Sequence, residues 1–331
     1  MTKRTRYFMF GSVTVLLVGL CTGLVAYYTG MPMGAFGQTG GPSELQYVPA
    51  DAVLVAYANV QDVMKSELRK KLHSTMVRKH EDKGQEEFEA ATGIDIEHDI
   101  DHVVAFLEPN PTEQYTGMVL ATGRFDAARL EALARQHGGQ VEDYKGKRLL
   151  TKQGEDSGSR SQHSFTVAFI NPGLVGVGET SVIKHALDRQ GGQSVLANRE
   201  MMNLVNDMDD GNAWAVGRFD ALISQAKLPE GVVSKIPAVR WFAANGHING
   251  GVRGSIRAEA RDEQAGQNLR DVVQGFLALA KLQAGQKPEL QAVIDSLQLA
   301  GTGKTVSLSF EVPPQIIDLI GEAGGHQADD E

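Results

Sequence analysis

YTGMVLATGRFDAARLEALA, residues Tyr115 to Ala134, passes from a β-type run into a helical one through the block Gly123-Arg124-Phe125-Asp126-Ala127. DDGNAWAVGRFDALISQAKL, residues Asp209 to Leu228, does the same through Gly217-Arg218-Phe219-Asp220-Ala221, with Gly117 matching Gly211. A shared block between a strand and a helix in both places is the mark of an internal duplication. Asp51 to Val63 reads as a weaker third copy, with Asn59-Val60-Gln61-Asp62 in the block's place.

The chemistry of the block is local. Phe125 and Phe219 are expected to end their strands facing the core, and Asp126 and Asp220 to cap the following helices through a side-chain oxygen, a contact of about 1 kcal/mol. Arg124 and Arg218 have a second reading as paired ligand-binding residues. A surface Arg beside a capping Asp is commonplace, however, so the structural role is preferred.

Working outward, the helix DAARLEALARQHG is followed by the strand-like VEDYKGKRLLTK and the strands SFTVAFI and LVGVGE, with the polar tip Gln153 to His163 between them. Thr180 is expected to cap the helix SVIKHALDRQG. After the second block come the strand VRWFAAN, a GHING turn and Gly251 to Ala260. In that last run Val252, Ile256, Ala258 and Ala260 alternate with Arg253, Ser255, Arg257 and Glu259, so one face of the sheet is either wet or covered by a partner. The helix from Asp262 or Glu263 carries Leu269, Val272, Val273, Phe276, Leu277 and Ala280 as a stripe wide enough to cover a sheet. A second helix, Glu289 to Leu297, packs Leu290, Val293, Ile294 and Leu297 likewise. Strand, helix, hairpin, helix, stated twice, predicts an α+β fold of antiparallel sheets packed against helices. The expected units are a first domain over 47–195 and a second over 196–320.

The amino-terminal part places these domains. Tyr7 to Tyr28, YFMFGSVTVLLVGLCTGLVAYY, carries no charged residue and is long enough to span a bilayer core. Lys3, Arg4 and Arg6 precede it, and no Lys or Arg follows before Lys65. By the positive-inside rule residues 1–6 stay in the cytoplasm, 7–28 form a single-pass anchor in a bacterial inner membrane, and the body is exported. A cleaved signal peptide ending near Ala35-Phe36-Gly37 is the competing reading, which the length of the apolar run disfavours. Cys21 is the only cysteine. Leu20 stands where a lipobox wants a small residue, so Cys21 reads as a membrane-buried thiol. Residues 29–46 are rich in Gly and Pro and read as a spacer, with folding expected from about Tyr47; the acidic 321–331 reads as a disordered tail.

The formal charge of −9 argues against nucleic-acid and anionic-lipid binding, which need a basic face. The basic residues around Lys65 to Lys79 lie among Glu67, Glu81, Asp82, Glu86 and Glu87 and read as a solvated helix face.

Three sequences imitate ligand sites. His98 and His102, set among Asp95, Glu97, Asp99 and Asp101, would share a helix face and offer a metal site, but the segment runs into the strand-like DHVVAFLEP and the aspartates are natural caps. Gly301-Thr302-Gly303-Lys304-Thr305 resembles the end of a phosphate loop, yet strand alternation, not a helix, follows it, so a hairpin turn is expected. Asn206 to Gly211 fails as a calcium loop because Met208 sits where an oxygen ligand belongs. No nucleophile elbow, zinc-protease helix or dinucleotide fingerprint is present, and no catalytic, cofactor-binding or metal residue is assigned.

YVPADAVLVAYANV, TGIDIEHDIDHVVAF, the GRFDA blocks and the closing GKTVSLSFEVP together resemble a group of bacterial exported proteins known mainly as domains of unknown function. The resemblance implies an extracytoplasmic α+β repeat fold and no catalytic residues. The expected function is that of a non-catalytic, membrane-anchored binding or scaffold protein with protein partners in the cell envelope and no cofactor. The alternatives are a carrier of lipid or another apolar ligand, and a hydrolase with an unfamiliar site.

Overall fold

The computed structural model describes residues 41–69, 88–110, 114–153, 164–189, 193–225, 238–284 and 288–314. The stretch 7–28 with Cys21, most of the spacer, the basic residues from Lys70 to Lys79 and the tail 321–331 lie outside the described residues. No helix among the described residues is long and apolar enough to cross a membrane.

Twelve strands form one antiparallel sheet: β1 (Leu54–Ala58), β2 (Ile100–Asn110), β3 (Gln114–Gly123), β4 (Gln140–Tyr144), β5 (Lys147–Gln153), β6 (Ser164–Asn171), β7 (Leu174–Glu179), β8 (Ala213–Arg218), β9 (Val239–Ile248), β10 (Val252–Ala260), β11 (Gln298–Ala300) and β12 (Thr305–Val312). Their spatial order is β11-β12-β10-β9-β8-β1-β2-β3-β7-β6-β5-β4. The α+β class is as expected, but the expected separate sheets are one continuous sheet. The reason is β1, which pairs with β2 on one side and with β8 on the other, across the boundary placed at 195/196.

The helices that flank the sheet include α1 (Val60–Met64), α2 (Ile96–Asp99), α3 (Ala127–Gln136), α4 (Thr180–Asp188), α5 (Arg199–Met208), α6 (Phe219–Gln225), α7 (Glu263–Ala284) and α8 (Pro288–Ser296). A 3₁₀ turn, Ser43–Tyr47, precedes β1. The main core lies between one sheet face and that turn, α4 and α5, with Leu45, Val55, Val104, Leu120, Ile183, Met201 and Trp214 fully or almost fully buried. Burial of side chains of that size, at about 1.5–3 kcal/mol each, is what holds these elements to the sheet. On the opposite face, Val63 and Leu68 close over Ile248, and Val60 and Met64 over Ile96, Ile100 and Val103.

Two expectations change. Only the start of α7 packs tightly, with Ala265 buried and Gly266 too close to the Gly303 carbonyl to admit a Cβ. Farther along, Leu269, Val273, Leu277 and Ala280 are half-buried, whereas Val272 is 43% exposed and Phe276 68% exposed. The stripe divides because α7 packs against α8 as well as against β10, β11 and β12. The packed chain also begins earlier than Tyr47, since Glu44 and Leu45 are already buried.

Candidate functional site

The site is set by one cross-strand row that runs through all twelve strands. Leu149, Ala168, Gly176, Leu120, Val104, Tyr57 and Trp214 face one another in register from β5 to β8. Glu142 extends the row onto β4 and meets Lys184 of α4 at 2.9 Å. Beyond Trp214 the same row continues as Asn245, Ser255, Ser309 and Gln298 on β9, β10, β12 and β11. Cross-strand partners share a face, so the face that is packed and apolar at the centre becomes polar at this end.

An open groove of about 570 Å³ lies over that polar end. The Asn–Ser–Ser–Gln row forms its floor, His247, Arg253 and Glu311 form a parallel row, and Asp210 and Ser296 stand on opposite walls. Strand alternation on β10 is as read from the sequence, and its polar side borders the open groove. Ser255, Arg257 and Glu259 point to the core-bearing face and are half-buried, while Ile256 on the other face is 48% exposed. Likewise β9 runs to Ile248, so His247 belongs to a strand rather than to the turn, which is confined to residues 249–251.

The wall beside Asp210 is the segment rejected as a calcium loop, and it acts as a latch. Asp207 meets Arg257 of β10 at 2.5 Å, Asp209 accepts from the Trp214 indole N–H at 3.0 Å, and Asp210 accepts from the Asn245 amide at 2.5 Å. Asn212 both donates to the Ile248 carbonyl and accepts from the Ile248 N–H. A Cβ on Gly211 would lie 2.8 Å from the Gly246 carbonyl, which explains the glycine. Asn245 is thereby held rigidly, because its carbonyl oxygen also accepts from the Ser255 N–H and hydroxyl. Burial pushes the Asp209 carboxyl up; the Trp214 bond draws it back, and the Asp210 charge adds to the rise.

On the far side of the latch a second polar cluster is enclosed. Glu44, only 4% exposed, accepts from Thr122 and lies 2.9 Å from Nε2 of His102. Burial alone would raise its carboxyl, but the bonds from His102 and Thr122 and the charge of His102 prevail and bring it to about 2. Tyr57 stacks on Trp214 and borders the His102 ring; burial, then the charges of Asp209, Asp62 and Glu44, push its hydroxyl up.

The sequence candidates fall as follows. His98, on α2, pairs with Asp95 at 2.6 Å, whereas His102, on β2, pairs with Glu44, so the two histidines do not converge. Among the described residues no three metal-ligating side chains gather at one point. Gly301 to Thr305 is the β11–β12 hairpin turn, with Gly301 and Gly303 at positive φ. Thr180 is the first residue of α4, and its hydroxyl bonds to Ser164 and Thr166 rather than capping.

The blocks themselves lie apart. Gly123 is opposite Ile100 at one end of the sheet, and Gly217 is opposite Leu54 at the other. With three strand spacings between β3 and β8, that separation is on the order of 25 Å. Arg124 binds the His98 carbonyl and Asp99, and Arg218 meets Asp220 at 3.5 Å, so each arginine serves its own connection. Asp126 caps α3 through the Arg129 N–H, and Asn59 caps α1 through that of Asp62. Asp220 departs from the pattern: it lies one residue inside α6 and accepts from Ala221. Phe125 is half-buried, and Phe219 stands edge-on to Phe242 with centroids 6.4 Å apart. Sequence reasoning missed Glu44, Asp210 and Asn245, whose partners are all distant in the chain.

No family model and no curated protein matches the chain. Among solved structures it is similar to crystal form I of TP0453, a bacterial protein, with a TM-score of 0.43 and 10% identity over 85% of this chain and 97% of that one.

Proposed function

We propose that the chain is a non-catalytic, membrane-anchored binding or scaffold protein of the bacterial cell envelope, an accessory subunit that holds its partner in the groove over β9, β10 and β12. The observation that carries this reading is the change of the row from packed Trp214 and buried Asn245 to half-buried Ser255 and exposed Ser309 and Gln298. A sheet face left uncovered with hydrogen-bonding side chains in register is suited to recognition. Its serines are not set up for attack, since Ser255 is tied to Asn245 and Ser296 to the backbone of Val293 and Glu311. A nucleophile needs an adjacent base, and no Ser–His bond forms among the described residues. The polar lining also favours a polar contact over the apolar ligand of a carrier.

Placement rests on the sequence. The chargeless Tyr7 to Tyr28 behind Lys3, Arg4 and Arg6 anchors the chain in the inner membrane with 1–6 cytoplasmic and the body periplasmic. The resemblance to exported domains of unknown function agrees with it. We read the two GRFDA connections as traces of a duplication that joined units at 47–195 and 196–320.

Native mass spectrometry of the full-length protein, extracted in mild detergent from its own membranes, tests the binding reading. A stoichiometric protein mass is expected on the wild type and not on Ser255→Tyr, which fills the groove. A partner retained by that variant overturns the groove as its site, and a bound apolar small molecule favours the carrier. Reporter fusions after Glu44 and at the carboxyl terminus test the topology, which cytoplasmic activity of both would refute.

A further inference from the structure

Arg253 and Glu311 face each other directly across β10 and β12, both exposed, at the rim of the groove. Opposite charges so placed have Cβ atoms about 5 Å apart and ordinarily pair. Arg257, two pairs along on the same face, does so, meeting Asp207 at 2.5 Å and Glu259 at 2.6 Å. Arg253 and Glu311 do not: among the described residues neither side chain has an ion pair or hydrogen bond. The backbone N–H and carbonyl of Glu311 are both engaged by the Ser296 hydroxyl, which fixes the strand beneath the free carboxylate. A free cation and a free anion thus stand side by side on a held backbone.

Behind them lies the floor row of Asn245, Ser255, Ser309 and Gln298, whose four strands at about 4.8 Å intervals extend over roughly 14 Å. The groove of about 570 Å³ is open to solvent and has room for a small ligand.

From this juxtaposition we infer that the groove binds a zwitterionic α-amino-acid group carried by an amide- or hydroxyl-bearing chain. The carboxylate takes the paired N–H groups of Arg253, the ammonium takes the carboxylate of Glu311, and the chain behind them hydrogen-bonds along Ser255, Ser309 and Gln298. An isolated anion would face Glu311 and an isolated cation Arg253, so only a ligand carrying both charges satisfies both residues. A free amino acid and the free α-amino-acid end of a branched peptide present this same group. The inference rests on reading the groove as a binding surface.

Titration calorimetry on the full-length protein in mild detergent tests it, with L-glutamine and Nε-(acetylalanyl)-L-lysine as probes, and with N-acetylglutamine amide and cellotetraose as controls. The zwitterionic probes are expected to bind and the doubly capped amide not, and Arg253→Gln and Glu311→Gln are each expected to weaken binding at least tenfold. Binding of both probes indicates the free amino acid as a source; binding of the substituted lysine alone indicates the branched peptide. Failure of both probes, equal binding of the capped amide, or unchanged affinity in both variants overturns the inference. Binding of cellotetraose in their place overturns the zwitterion and leaves the groove standing. Loss of the cellular partner in Ser255→Tyr together with failure of the probes would refute the ligand chemistry alone.

Discussion

His102 Nε2 lies 2.9 Å from Glu44 Oε1, joining the start of β2 to a 3₁₀ turn 58 residues earlier in the chain. The turn is pinned there by a buried charge with two partners, which is why the packed chain begins ahead of the Gly- and Pro-rich boundary at residue 46.

That pairing makes the fold acid-sensitive. Glu44 ionises near 2 in the folded protein against an ordinary 4.5, so its stabilisation is full above pH 4.5 and is lost as pH falls toward 2. At neutral pH it amounts to no more than about 3 kcal/mol. Glu44→Gln is expected to cost about 1–3 kcal/mol at pH 7 in urea denaturation, with the gap to wild type narrowing at pH 3. A gap independent of pH would refute the charged pairing.

Asp62 runs the other way. Burial pushes its carboxyl up to about 6, against the opposing charge of Lys65. A raised carboxyl favours the fold while protonated and opposes it as pH rises from 3.8 through 6. Asp62→Asn is therefore expected to stabilise by roughly 1–2 kcal/mol at pH 8 and to be neutral near pH 4. Thermal melts at the two pH values check it.

The two block aspartates should separate on substitution. Asp126 is the N-cap of α3, so Asp126→Ala is expected to cost about 1 kcal/mol. Asp220, inside α6 and beside Arg218, should cost less. Neither lies in the groove, so partner capture should persist in both; equal costs in chemical denaturation would mean that Asp220 caps after all.

Gly123 is required for a reason its block does not reveal. A Cβ there would come 2.0 Å from the Asp99 carbonyl and 2.9 Å from the Ile100 Cα, both backbone atoms that cannot turn aside. Gly123→Ala is expected to cost about 1–3 kcal/mol, by the measure of overpacked sites. Gly217→Ala meets chiefly the Phe242 ring, which can shift, and should cost less. Denaturation midpoints of the two variants give the comparison.

Local chemistry was legible without the fold. Asp126 caps the helix that its sequence announces, and Gly301 to Thr305 turns between strands as its alternation requires. These features depend on residues a few positions apart, where backbone sterics and side-chain reach settle the outcome. Asp220 escaped because a helix boundary can move by one residue at little cost.

The sequence by itself determined the α+β class, the strand-to-helix connections and the two faces of β10. Only the tertiary structure decided that β1 joins the two halves in one sheet, that the polar side of β10 turns toward the core-bearing face, and that Glu44, Asp210 and Asn245 have partners. Alternation of period two distinguishes two faces but is symmetric between them, so it cannot say which is inward. The choice is made by neighbours in register, Trp214 beside Asn245 and Asn245 beside Ser255, and register between distant strands is set by the whole assembled sheet.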